Sequence, residues 1–158
     1  MKKIIQVLVL LVATSYGIIS CEKDDDIEET DYITASINNK NWEGTPEIYI
    51  DTNDSLTLLG YGNEQHIFIK LKFKGEGTYN LENSRTNYYT TIGGDVITSI
   101  YVFDANSTSQ LKITNYDSEL NILKGEFEVS LVKEWSNPEN DIEKTIFKNG
   151  KLRGAIRD

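Results

Sequence analysis

Gln65-His66-Ile67-Phe68-Ile69-Lys70-Leu71-Lys72-Phe73 alternates at its odd positions: Ile67, Ile69, Leu71 and Phe73 are apolar. His66, Lys70 and Lys72 share the opposite face with Phe68. A period of two sends successive side chains to opposite faces of a strand, so this stretch buries one face and wets the other, as antiparallel sheets do. Leu123 to Leu131 repeats the pattern, with Leu123, Phe127, Val129 and Leu131 inward and Lys124, Glu126, Glu128 and Ser130 outward. No window of about a dozen residues carries a clean helical period.

Working outward from these two stretches, the spacing predicts strands over Tyr32–Ile37, Glu47–Ile50, Ser55–Leu59, Gly77–Leu81, Ile97–Phe103, Gln110–Thr114, Glu143–Phe147 and Lys151–Ile156. Turns are expected at Asn38-Asn39-Lys40, Lys74 to Gly77, Asn115-Tyr116-Asp117 and Lys148-Asn149-Gly150. The last holds an Asn-Gly pair, which tolerates positive φ and is expected to close a hairpin. Gly60, Gly62, Gly93 and Gly94 read as turn glycines. The nine tyrosines, many beside β-branched residues, also favour strands. The expected fold of residues 32–158 is all-β: an antiparallel sandwich of about ten short strands, with a closed barrel as the alternative.

The N-terminus has a different character. Lys2 and Lys3 precede an apolar run, Ile4 to Ala13, broken only by Gln6. That is the layout of a secretory signal and is too short for a membrane span, so residues 1–20 read as a signal peptide. Ile18-Ile19-Ser20-Cys21 resembles the bacterial lipobox. The resemblance implies cleavage after Ser20 and a lipid on the Cys21 thiol. Cys21 is the chain's one cysteine, so no internal disulfide competes for it. Seven of the ten residues 22–31 are acidic, which makes residues 21–31 an extended, solvated tether. Lys23 followed by Asp24, Asp25 and Asp26 resembles the surface-export signal of Bacteroidetes lipoproteins. It implies anchoring in the outer membrane at the cell surface, the periplasmic face being the alternative.

A second resemblance covers most of residues 32–156. Tyr32-x-Thr-Ala-x-Ile37-Asn-x-Lys-x-Trp42, Gly77-Thr-Tyr79-x-Leu81, Leu111-x-Ile113-Thr-x-Tyr-Asp117, Leu123-x-Gly125-x-Phe127 and Ile146-x-x-Asn-Gly150-x-Leu resemble an uncharacterised family of small Bacteroidetes lipoprotein domains. It implies an all-β fold in the same compartment and carries over no catalytic residue. Trp42 and Tyr79 fit core roles.

Residue chemistry narrows the function. The net charge of −9 repels phosphate backbones, so nucleic acid is not an expected partner. His66, the one histidine, is expected on a solvated face with no acid beside it, which leaves no serine triad. One histidine and an acylated cysteine assemble no zinc site, and neither metal nor cofactor is expected. Asp51-x-Asn53-Asp54-Ser55 offers oxygen ligands but lacks the glycine and final acid of a calcium loop, so it reads as a polar turn. Asp54-Ser55-Leu56 also resembles an O-glycosylation acceptor of that phylum. Glu126 and Glu128 are two apart on one strand, about 7 Å between positions, which admits a carbohydrate-active enzyme with paired carboxylates. The stretch Asn83 to Gly94 is expected as a loop whose Arg85, Asn87, Tyr88 and Tyr89 join flat rings to hydrogen-bonding groups, suited to a glycan or protein ligand. The leading expectation is a lipid-anchored, non-catalytic binding or accessory domain; a purely structural envelope role is the other alternative.

Overall fold

The computed structural model describes residues 30–157. Ten strands run β1 (Tyr32–Ile37), β2 (Lys40–Ile50), β3 (Ser55–Tyr61), β4 (Gln65–Lys72), β5 (Gly77–Asn80), β6 (Arg85–Ile92), β7 (Val96–Phe103), β8 (Gln110–Asp117), β9 (Ile122–Ser136) and β10 (Lys144–Arg157). The one helical element among the described residues is a single 3-10 turn, Leu81–Asn83. The domain is therefore all-β.

All ten strands belong to one sheet, and its hydrogen bonds return on themselves through β1, β2, β3, β4, β6, β7, β9 and β10. β8 and β5 extend from the first half of β9, outside this ring. Every pairing is antiparallel except a two-residue parallel contact, Ile156 with Ile48 and Arg157 with Tyr49. Facing walls meet across one sandwich-like core: Tyr88 of β6 touches Phe147 of β10 edge-on at 5.3 Å, and Trp42 of β2 touches the same ring at 5.6 Å. The expected inward residues of β4 and β9 are all buried.

Local chemistry explains the joints. Asn38 and Asn39 both take positive φ (49° and 67°), giving the two-residue loop that pairs Ile37 with Lys40. Gly93 and Gly94 also take positive φ, in the three-residue loop Gly93-Gly94-Asp95 that pairs Ile92 with Val96. Asp51 closes the β2–β3 turn by accepting from the amides of Asn53 and Ser55, each at 2.9 Å. The Ser55 amide bond is the main cause that holds this carboxyl below its ordinary value.

Four expectations are corrected. Lys148-Asn149-Gly150 is no hairpin: β10 runs unbroken from Lys144 to Arg157, and its register against β9 slips between Phe147 and Gly150. Asn149, at φ 53°, supplies a bulge instead, because positive φ serves a bulge as well as a turn and β9 offers a continuous partner. Asn115-Tyr116-Asp117 lies inside β8; the turn follows it, where Asp117 Oδ1 accepts from the amides of Glu119 and Leu120. Gly60 lies within β3, where a Cβ would stand 3.0 Å from the Trp42 ring and closer still to Ile33 and Ile67. Its role is room for these three side chains. Finally, residues 85–92 form strand β6, paired on both sides, rather than a loop.

Two poles result. The β1–β2, β3–β4 and β6–β7 hairpins and the β9–β10 connection gather at one end. The chain enters β1 at the other, where the Asp31 carboxylate accepts from Arg153 (2.8 Å) and from the Ala155 amide (3.1 Å).

Candidate binding site at the mouth of the sheet

At the hairpin pole the ring opens into a cavity of about 400 Å³, inside the range of about 300–1,000 Å³ typical of ligand pockets. Trp42, Tyr88 and Tyr101 give it aromatic walls, and Thr90, Ser99 and Thr145 line it with hydroxyls. Strand alternation explains the set. Tyr88 and Thr90 are two apart on β6, and their direct partners on β7, Tyr101 and Ser99, turn inward with them.

The polar groups are ordered by one another. Thr90 Oγ1 lies 2.6 Å from Ser99 Oγ and 2.8 Å from Thr98 Oγ1. Tyr101 donates its hydroxyl to Asn140 Oδ1 at 3.3 Å, and the same oxygen accepts from the Ile142 amide at 3.0 Å. Asn140 sits in the β9–β10 connection, held from beneath by Lys133, which donates to the Asn140 carbonyl at 2.7 Å and to Glu139 and Glu143. These bonds, to Glu139 foremost, push the Lys133 ammonium up and hold Glu139 down. Burial pushes the Tyr88 phenol up, so it stays protonated and keeps a hydroxyl in the cavity wall.

One polar atom at this wall is left over. The Trp42 indole N–H is buried and has no acceptor. It lies against Gly62, where a Cβ would stand 2.4 Å from Nε1. An unpaired buried donor of this kind costs about 1–3 kcal/mol. Nε1 is closed to solvent, so this donor is not open to the cavity. A larger trough of about 540 Å³ runs along β1 and β2, past Thr34, Ser36, Asn41, Glu43 and Asn149; it shares Trp42 with the mouth but has no second aromatic ring.

The residues singled out in the sequence scatter. Tyr88 is 4% exposed and faces the cavity, not the outer surface. Arg85, Asn87 and Tyr89 alternate with it on the outer face, where Arg85 lies 5.6 Å over the Phe68 ring. Tyr89 stacks on its cross-strand partner His66 at 4.9 Å. His66 is thus half-buried beneath Tyr61 and Tyr89 rather than solvated among lysines, and its Nε2 lies 3.3 Å from Thr91 Oγ1. Glu126 and Glu128 are both exposed. They edge a shallow groove of about 240 Å³ with Gln110, Lys112 and Lys151. Trp42 is buried, as expected of a core residue; Tyr79 is half-buried, its hydroxyl bonded to the Lys74 amide and the Gly75 carbonyl. Cys21, Lys23, Asp24, Asp25 and Asp26 lie outside the described residues.

Sequence reading missed Tyr101, Thr90, Ser99 and Asn140 as a group. The available signal was small hydroxylated residues at inward positions of otherwise apolar strands, which a core alone does not need. Comparison with known proteins found no match among curated proteins or solved structures. A family model described as a domain of unknown function, DUF6252, matches residues 29–152. Spanning most of the chain and nearly all of the ring just described, that match makes this protein a member of the DUF6252 family.

Proposed function

We propose that the protein is a lipoprotein of the outer membrane, anchored through Cys21 and displayed at the cell surface, whose β domain is a non-catalytic binding module with its site at the mouth. The lipobox and the acidic export-like tether, residues 21–31, support the anchoring half of this reading. One structural observation supports the binding half: the aromatic, hydroxyl-lined cavity opens at the pole opposite the one where the chain enters at Asp31. The ten residues 22–31 beyond Cys21 reach at most about 33 Å. A domain held by that short leash at one pole presents the other pole, with its cavity, away from the bilayer.

Two experiments test the halves separately. Protease added to whole cells clips the domain in the wild type, and replacing Lys23, Asp24 and Asp25 with alanine protects it; equal protection in both overturns surface display. Retention of the purified domain on glycan and protein arrays falls at least tenfold in Tyr101→Phe with Ser99→Ala. Retention that ignores these changes but is lost in Tyr89→Ala moves the site to the outer face.

A further inference from the structure

We infer that the mouth takes one uncharged, polyhydroxylated ring, a single neutral sugar residue either free or at the end of a glycan. This inference rests on the mouth being the binding site and adds the class of its ligand.

Charge comes first. Of the residues lining the cavity only Lys40 is ionised, and it is exposed at the rim. Lys133, half-buried behind Asn140, is already bonded to Glu139, Glu143 and the Asn140 carbonyl. An ammonium carried inside would lose its hydration with no counter-charge to meet it, and a carboxylate would have only the exposed Lys40 at the rim, so burying either is costly. The buried part of the ligand is therefore neutral.

Hydrogen-bonding capacity comes next. Hydroxyls of Thr90, Ser99, Tyr101 and Tyr88 each donate or accept as their rotors require. Asn140 adds an amide. A purely apolar ligand would leave idle the bonding capacity that remains beyond the Thr90–Ser99, Thr90–Thr98 and Tyr101–Asn140 bonds; a ring bearing several hydroxyls uses it. The three aromatic rings meanwhile offer flat apolar surface to the C–H faces of such a ring, as amphipathic aromatic side chains do. At about 400 Å³ the space suits one such ring, with the next residue of a glycan at the rim, and not a long chain.

Intrinsic fluorescence tests this directly, because the chain has two tryptophans and only Trp42 is at the mouth. Trp135 is 45% exposed on the outer surface, so Trp135→Phe leaves Trp42 as sole reporter. Glucose, galactose, mannose and their neutral disaccharides are titrated into this variant, alongside glucuronic and galacturonic acids and catechol. The expected result is a saturable change in Trp42 emission with at least one neutral sugar. Affinity for the matching uronic acid is at least tenfold weaker. Ser99→Ala and, separately, Tyr101→Phe weaken the sugar at least tenfold, while unfolding midpoints close to that of the parent show that both variants still fold. Tighter binding of a uronic acid or of catechol overturns the neutral-sugar class and leaves the mouth as the site. No change in Trp42 emission with any probe, together with array retention indifferent to the mouth variants, overturns the mouth itself.

Discussion

His66 shows how one neighbour changes a residue's chemistry. In sequence it belongs to the wet face of β4, yet Tyr89 directly across the ladder and Tyr61 on the other side cover its ring. Burial therefore lowers its pKa from the ordinary 6.5. The sign follows: the unfolded chain takes the proton first as pH falls, so stability is full above pH 6.5 and drops as pH falls through the folded midpoint. With one histidine in the chain, its ring-proton NMR resonance is expected to titrate below 6.5. Tyr89→Ala, which uncovers the ring, should bring the midpoint back up; a wild-type midpoint at or above 6.5 would contradict the packing.

At the scale of the element, β10 is the instructive strand. Its bulge brings Gly150 so close to Phe127 that an added Cβ would lie 2.6 Å from both the ring and the main-chain oxygen. Backbone cannot yield as a flexible side chain can, so Gly150→Ala is expected to cost about 1–3 kcal/mol, as overpacking does. Urea unfolding followed by fluorescence measures it, and a loss within about 0.5 kcal/mol, the size of an ordinary surface change, would refute the close approach. The Asn-Gly pair itself was legible in the sequence. Its use as a bulge was not, since a hairpin and a bulge demand the same positive φ and differ only in what lies alongside.

For the whole molecule, residues near the end of β10 add a second seam to the ring that β1 already closes between β10 and β2. Ile156 and Arg157 make the parallel contact with β2, Arg157 donates to Glu47 at 2.6 Å, and the Ile156 amide donates to the Asn121 carbonyl at 2.7 Å. Removing residues 156–158 is expected to cost about 1–3 kcal/mol, from one partly buried isoleucine and its backbone bonds. An unchanged denaturation midpoint would mean that this parallel seam contributes nothing. A second tie joins distant strands: buried Asp104, just after β7, accepts from Lys144 of β10 (2.7 Å), the Asn106 amide (2.9 Å) and Ser130 of β9 (3.3 Å). These bonds, that from Lys144 foremost, hold its carboxyl below the ordinary 3.8. Its contribution is thus present above that pH and is lost as pH falls through the folded midpoint. Asp104→Asn should unfold at lower urea than wild type at pH 7, with the gap closing in acid below 3.8; a gap independent of pH would rule out this linkage.

The sequence by itself determined the class of fold, the bounds of β1, the inward residues of β4 and β9 and the turn at Asn38-Asn39, because each follows from a period of two or from φ preferences within a few residues. Only the tertiary structure decided that the strands close on themselves, that residues 85–92 are a strand, that Tyr88 faces inward while Tyr89 covers His66, and that Trp42, Tyr88, Tyr101 and Ser99 share one cavity. Those facts depend on register between strands distant in sequence. A shift of one residue exchanges the two faces of a strand, and local preference does not fix which strand lies alongside.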